Sequence, residues 1–317
     1  MFKIILLLKS ILKSIMIYML IGYPASGKST YSSELAKETN SIILNRDTIG
    51  GTLKDLVKLI NKDKNYILDN TNLSIKTRKI FIDKAKELNI EINAIYIKSN
   101  IEDCMIRCMN RMYQKHSKIY FDGETDLSPV VLFKSRKEFE EPSLDEGFKE
   151  IKIINAHKLE FNNFNNKCVF LDIDGTLRKT DHLINKYPIK KEEVELLFDK
   201  DKMKTTLNKY VNDGYMLYGV SNQSGIGKNI LSVDDVIDCM NETKRLLDIE
   251  FPISFCPHNS FPIKCYCRKP QSGLFLEAIY KYEINPLLSI MVGDRTEDKT
   301  SAKRLNMKYM TPNDFFI

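Results

Sequence analysis

The sequence predicts two α/β domains in tandem, each a doubly wound parallel sheet. Three observations predict it. Residues 17–21 form a short apolar run that ends in Gly22-Tyr-Pro-Ala-Ser-Gly27-Lys28-Ser29-Thr30 and leads into a helical stretch. Residues 168–171, Cys-Val-Phe-Leu, form a second apolar run that delivers two aspartates, Asp172 and Asp174. Between and beyond these runs, strand-length apolar segments alternate with helix-length ones, the pattern of a parallel sheet covered on both faces. With 317 residues, 43% of them hydrophobic and 28% charged, the chain has the length for two cores and the composition of a globular protein.

The first run fits G-x-x-x-x-G-K-[ST] at every position. Gly22 and Gly27 can take positive φ and let backbone N–H groups curl around phosphate oxygens. Lys28 then reaches the β- and γ-phosphates, and the Ser29 hydroxyl can hold Mg²⁺. The helix that begins near Ser29 points its positive end at the same anion. Gly22, Ser26, Gly27, Lys28, Ser29 and Thr30 are therefore the expected cradle for ATP.

The next strands are expected at Ser41-Ile-Ile-Leu and Asn65-Tyr-Ile-Leu. Each ends in polar residues, Asn45-Arg46-Asp47 and Asp69-Asn-Thr-Asn72, where open α/β sheets build their sites. Phosphoryl transfer needs positioning, charge neutralisation and a base for the attacking hydroxyl. Asp47 is the candidate base; the plainer reading makes it a helix N-cap. Asp69 stands where a carboxylate could orient Mg²⁺, or could form an Asx turn. A helix over 75–88, a strand over 92–98 and a helix over 101–115 continue the alternation. On the last, Arg107, Arg111 and Lys115 share one face, suited to a lid over the triphosphate or to a solvated surface.

GYPASGKST, NRDT, ILDNTN and RCMNR, in that order, resemble the kinase module of the polynucleotide 5′-kinase/3′-phosphatases, bifunctional end-healing enzymes of phages and eukaryotes. The resemblance covers about residues 16–155. It implies a P-loop NTPase fold with Lys28 and Ser29 on ATP·Mg²⁺, Asp47 as general base toward a 5′-hydroxyl, and Arg107 and Arg111 near the lid. Where the phage enzymes carry an arginine three residues after that aspartate, this chain has Gly50.

Residues 154–167 are polar and asparagine-rich, a linker or a loosely ordered strand. Beyond them, Asp172 and Asp174 are two apart on extended chain and face the same way, so both carboxylates are expected on one hard cation such as Mg²⁺. The stretch DIDGT, Ser221 in GVSNQSGIG, Lys269 in CRKP, and Asp294 with Asp298 in MVGDRTED resemble, in order, the motifs of the haloacid-dehalogenase phosphatases. The resemblance implies a Rossmann-like fold, Asp172 as nucleophile, Asp174 as general acid/base, Ser221 and Lys269 on the phosphoryl oxygens, and Asp294 completing the Mg²⁺ site with support from Asp298. Between these motifs, Cys256, His258, Cys265 and Cys267 form a C-x-H…C-x-C set, the ligands of a closed structural Zn²⁺ site. It resembles the zinc loop of the histidinol- and heptose-phosphatase branch of that superfamily. The ending TPNDFF resembles that of the polynucleotide phosphatase module.

Net charge is +6, but residues 159–317 balance 22 basic against 22 acidic residues, so any nucleic-acid contact is local. Residues 1–15 form a basic apolar extension, interrupted by Lys9 and Lys13 and too short to span a bilayer; no stable membrane association is expected. Seven cysteines, three of them clustered, suit an intracellular metal site rather than a disulfide framework. The expected organisation is the extension, a kinase domain over 16–158, a linker over 159–166 and a phosphatase domain over 167–317. The expected function is phosphorylation of 5′-hydroxyl ends and removal of 3′-phosphates from DNA or RNA, upstream of a ligase. The alternative is a metabolite kinase fused to a histidinol- or sugar-phosphate phosphatase.

Overall fold

The computed structural model describes residues 15–119, 127–181, 183–184, 186–261 and 265–317. The expected N-terminal extension lies outside them, apart from Ile15. The described residues pack as two compact units, Met1–Cys104 with Val131–Lys158 and Met105–Val130 with Leu159–Ile317. No helix among them is long and apolar enough to cross a membrane.

In the first unit, β1 (Met16–Ile21), β2 (Ser41–Leu44), β3 (Asn65–Leu68), β4 (Glu91–Lys98) and β5 (Glu150–Asn155) form a wholly parallel sheet in the order β2-β3-β1-β4-β5. Its helices are α1 (Lys28–Thr39), α2 (Arg46–Ile49), α3 (Leu53–Lys58), α4 (Ile75–Leu88), the start of α5 (Ile101–His116) and most of α6 (Pro129–Glu138). Successive side chains of a strand face opposite ways. Ile17, Met19 and Ile21 of β1 accordingly pack with Phe81, Ile82 and Ala85 of α4, while Leu20 packs with Leu35 of α1. Burial on both faces is why β1 reads as a continuous apolar run. β5 is an edge strand paired with β4, so much of it faces water and carries polar residues, and residues 156–165 beyond it form no strand.

Arg78 of α4 is fully buried and joins distant parts of the unit. Its guanidinium binds Glu146 in bidentate fashion at 2.7 and 2.8 Å and donates to the carbonyls of Asn72, Leu73 and Glu140 at 2.9–3.2 Å. Removing one partner of a buried pair strands the other charge. Arg78→Ala is expected to destabilise this unit by about 3–5 kcal/mol, measured by urea denaturation; a loss below about 1 kcal/mol would remove the pair as a keystone.

In the second unit, β6 (Lys167–Leu171), β7 (Tyr215–Asn222), β8 (Ile253–Cys256), β9 (Ile290–Val292) and β10 (Lys308–Met310) form a parallel sheet in the order β10-β9-β6-β7-β8. Its helices are α7 (Lys200–Asn212), α8 (Ser224–Gly227), α9 (Val233–Leu247), α10 (Gly273–Lys281), α11 (Thr296–Arg304) and α12 (Pro312–Phe316). The TPNDFF ending is α12. Thr311 accepts from Asp314 N at 3.2 Å as its N-cap, and Phe315 and Phe316 close the core formed by β6, α7 and α9. This unit also takes in the second half of α5. Tyr113 stacks on Tyr280 of α10, with centroids 4.5 Å apart, and Ile119 N donates to Glu277 at 3.0 Å. A stretch that reads in sequence as part of the kinase module thus packs with the second unit.

Candidate active sites

In the first unit the polar groups gather beyond the carboxyl ends of β1, β2 and β3. Gly22 and Gly27 both take positive φ, and Gly22 is also confined by its neighbours. A Cβ at Gly22 would lie 2.8 Å from the Ile97 carbonyl, so the position needs space. A Cβ at Gly27 would meet nothing within 4 Å, but its φ is +103°, so the position needs glycine's backbone freedom. Gly27 is the N-cap of α1, whose first turn opens toward the loop. Lys28 is buried, and its Nζ donates to the Gly22 and Tyr23 carbonyls at 3.0 and 2.7 Å, which centres its charge inside the loop. Ser26 is buried beside it, whereas Ser29 and Thr30 are exposed on the first turn of α1.

Asp69 is buried at the end of β3. Its Oδ2 accepts from Ser32 at 3.0 Å, so the carboxylate is tied to α1 one turn beyond Ser29. Asp47 is exposed on α2. It is not an N-cap: Asn45 holds that place, accepting from Asp47 N and Thr48 N at 2.8 and 3.3 Å. The Asn45 amide also donates to the Asp69 carbonyl at 2.7 Å, and Arg46 N donates to Asn70 at 3.1 Å. The two polar loops are therefore pinned together and present Asp47 to solvent. Asn45 was not singled out in the sequence; its signal is an N-cap residue two before the acid. Arg107 is half-buried and Arg111 exposed, on the part of α5 that groups with the second unit.

In the second unit, Asp172, Asp174, Ser221, Lys269 and Asp298 line one cavity of about 210 Å³ beyond the carboxyl ends of β6 and β7. Asp172 N is held by the Val292 carbonyl at 2.9 Å. Lys269 Nζ lies 2.5 Å from Asp172 Oδ1 and 2.7 Å from Asp298 Oδ1, and donates to the Val220 carbonyl at 2.8 Å. Its backbone is clamped by Asn222, through reciprocal bonds of 3.0 and 3.1 Å. Burial drives the Asp172 carboxyl above the ordinary range, with Lys269 pulling it down and Asp298 pushing it further up. Burial favours a neutral Lys269, yet Asp172 and Asp298 hold its pKa above the usual value.

Oxygens of Asp172, Asp294 and Asp298 lie within 4.8 Å of one another. Three carboxylates so close call for a cation or a proton among them, and Lys269 offers one positive charge. The oxygen set suits a hard divalent ion. Two glycines allow this approach. A Cβ on Gly175 would collide with Asp294 Oδ2, and one on Gly293 would lie 2.5 Å from Asp298 Cβ.

Asp174 departs from expectation. It shares the cavity with Asp172, but its carboxylate is not part of the acidic trio. β6 ends at Leu171, Asp172 N still bonds the Val292 carbonyl, and the chain turns over residues 175–177. Arg178 Nε bonds Asp174 Oδ1 at 2.7 Å, and Gln223 Nε2 bonds Oδ2 at 2.7 Å.

Cys256, His258, Cys265 and Cys267 converge on one point, their ligand atoms within 4.8 Å. The Cys256 and Cys265 sulfurs are 3.8 Å apart, and His258 Nδ1 is 3.5 Å from Cys256 and 3.2 Å from Cys267. Metal–sulfur bonds of about 2.3 Å in a tetrahedron place sulfurs ~3.8 Å apart, so the four could hold such an ion. The cluster fills all four corners with protein groups. Lys269 follows Cys267 by two residues, and Cys256 O accepts from Gln223 N at 2.8 Å, so the loop braces the catalytic wall from both sides.

A nucleotide-type phosphate loop on one parallel sheet, and a haloacid-dehalogenase phosphatase constellation on another, define a kinase-plus-phosphatase protein. Residues 167–316 match the family model described as polynucleotide kinase 3 phosphatase. The D-glycero-beta-D-manno-heptose-1,7-bisphosphate 7-phosphatase of Haemophilus influenzae is 37% identical over 145 residues, 42% of this chain and 73% of that protein. A probable D-glycero-D-manno-heptose-1,7-bisphosphate 7-phosphatase of Thermoplasma volcanium is 33% identical over 148 residues, 45% of this chain and 96% of that one. The bifunctional polynucleotide phosphatase/kinase of Schizosaccharomyces pombe is 30% identical over 142 residues, 43% of this chain but only 32% of the relative. Through its C-terminal half, the chain belongs to the phosphatase family these proteins share.

Proposed function

We propose that this chain heals nucleic-acid ends, phosphorylating a 5′-hydroxyl with ATP in its first unit and removing a 3′-phosphate in its second. The observation that carries the reading is the joining in one chain of the Lys28 phosphate loop and the Asp172–Lys269 constellation, the latter within the stretch matched by the polynucleotide kinase 3 phosphatase model. The 5′-phosphate and 3′-hydroxyl so produced are the ends a ligase joins.

In the kinase, Lys28 neutralises charge on the β- and γ-phosphates, and Ser29 and Asp69 would hold Mg²⁺, which would supply further charge neutralisation. Asp47 accepts the proton of the attacking hydroxyl. In the phosphatase, an Asp172 oxygen attacks phosphorus and the ester bond breaks. Asp174 protonates the departing oxygen, then takes a proton from the water that cleaves the aspartyl-phosphate. Ser221 and Lys269 hold the phosphoryl oxygens throughout. A Mg²⁺ held by Asp172, Asp294 and Asp298 would neutralise charge on the transferring group. Zn²⁺ is the ion whose preferred ligands match the Cys256 cluster.

The direct test gives the purified protein ATP, Mg²⁺ and an oligonucleotide with 5′-hydroxyl and 3′-phosphate ends, then resolves the product by mass. Gain of phosphate at one end and loss at the other is the expected result. The greater identity to sugar-bisphosphate phosphatases favours a second reading, a metabolite kinase fused to a sugar-phosphate phosphatase. An unchanged oligonucleotide beside active p-nitrophenyl phosphate turnover would select it.

The zinc assignment has its own test. Cys256→Ser is expected to abolish stoichiometric zinc, to lower the melting temperature of the phosphatase unit by about 5–10 °C, and to reduce its activity through Lys269. Unchanged metal content and melting would reject the site.

A further inference from the structure

Four aspartates of two kinds stand at the phosphatase site. Asp172, Asp294 and Asp298 cluster, whereas both oxygens of Asp174 are taken by hydrogen bonds from buried side chains. Arg178, one turn downstream, is 1% exposed. Its Nε bonds Asp174 Oδ1 at 2.7 Å, and its Nη1 lies 3.4 Å from Thr243 Oγ1 on α9, which itself donates to the Cys239 carbonyl at 2.8 Å. Backbone bonds reinforce the contact, with Gly175 N donating to the Arg178 carbonyl at 2.9 Å. Gln223, also buried, reaches from the opposite side. Its Nε2 spans Asp174 Oδ2 at 2.7 Å and Ser221 Oγ at 2.8 Å.

We propose that Arg178 and Gln223 are positioning residues that set the Asp174 carboxylate apart for proton transfer and keep it out of the cation site. The proposal rests on the phosphatase reading given above. A guanidinium in contact with Oδ1 repels a second cation there, so the divalent ion is left to the other three carboxylates. A clamp on each oxygen also fixes the carboxyl plane, which governs whether a proton moves toward the departing oxygen or misses it. Arg178 carries this role through Asp174 alone; it is absent from the cavity lining. Gln223 Nε2 also donates to Ser221 Oγ at 2.8 Å, a bond whose loss leaves the Ser221 hydroxyl free to grip the phosphoryl oxygen of either substrate.

The chemistry separates positioning from mere stability. When phosphate leaves an oligonucleotide 3′-oxygen, the P–O bond breaks as the Asp174 proton passes to that oxygen. When it leaves p-nitrophenol, the departing phenolate is stable without a proton. Both substrates give the same aspartyl-phosphate, which then needs Asp174 to draw a proton from water. Loosening the clamp therefore damages formation of the intermediate only for the oligonucleotide, but damages its hydrolysis for both.

The test compares Arg178→Gln and Gln223→Leu with wild type in the full-length protein with Mg²⁺. For each variant, kcat/KM on a 3′-phosphorylated oligonucleotide is expected to fall at least about tenfold while kcat/KM on p-nitrophenyl phosphate stays within about threefold. The p-nitrophenyl phosphate kcat is expected to drop, with a rapid burst of p-nitrophenolate as the aspartyl-phosphate accumulates. Arg178→Lys restores the cation and is expected to recover part of the loss. Should Arg178→Gln fail to fold, Gln223→Leu carries the comparison. Parallel losses of kcat/KM on both substrates, or an unchanged ratio in a folded variant, would overturn the clamp while leaving the phosphatase standing. A wild type inert toward both substrates overturns the phosphatase reading and the clamp together.

Discussion

Asp172→Asn is expected to lower 3′-phosphate release by at least about 10⁴-fold, the scale on which loss of an enzyme's attacking group is felt, and to leave 5′-phosphorylation unchanged. Asparagine keeps the shape of the side chain but offers no oxygen nucleophile to phosphorus. It also removes one of three crowded negative charges from a site where burial already disfavours ionisation of Asp172. The melting temperature should therefore hold or rise, which separates lost chemistry from lost structure. Residual turnover above about 1% of wild type would take the nucleophile's role from Asp172. Loss of kinase activity in the same folded variant would show that the two sites do not work independently.

Lys28→Ala carries the second large effect, a loss of about 10³-fold or more in 5′-phosphorylation, because phosphoryl transfer depends on charge placed against the β- and γ-phosphates. The lysine is buried, and its removal also leaves the Gly22 and Tyr23 carbonyls without their donor. Asp47→Asn supplies the clean companion, since Asp47 is exposed and its replacement disturbs no packing. Nucleotide affinity should survive that change while transfer to the 5′-hydroxyl fails. Full transfer activity in Asp47→Asn would move the base elsewhere on the loop pinned by Asn45.

Much of this was legible because both sites are announced by contiguous motifs. An apolar strand followed by G-x-x-x-x-G-K-S admits few structures, and the loop around Lys28 formed where the spacing placed it. The expected parallel sheets formed too, since strands buried on both faces read as uninterrupted apolar runs. Illegible were the pairings between segments far apart in the chain. Asp69 meets Ser32 across 37 positions, and Arg78 meets Glu146 across 68. No local period encodes either contact. Asp174 shows a different limit. Alternation sends residues i and i+2 the same way, and both aspartates line one cavity, but the Gln223 bond that helps hold Asp174 apart from the trio spans 49 positions. The stretch 105–130 shows a third limit: adjacency in sequence suggested one module, while aromatic packing of Tyr113 on Tyr280 joins it to another.

The glycines flanking the phosphatase carboxylates have a consequence for how this chain can diverge. At Gly175 and Gly293 the space for a side chain is already filled by Asp294 and Asp298. A lineage that retained every acidic residue but gained one methyl group at either glycine would have to move the carboxylates apart. Selection on the phosphatase therefore acts on two residues that donate no atom to the chemistry, and drift around this site is confined by what must stay empty. Gly27 is different: the space beside it is open, and only its backbone torsion resists replacement. Gly175 carries both constraints, since its φ of +84° would strain a side chain for which Asp294 leaves no room.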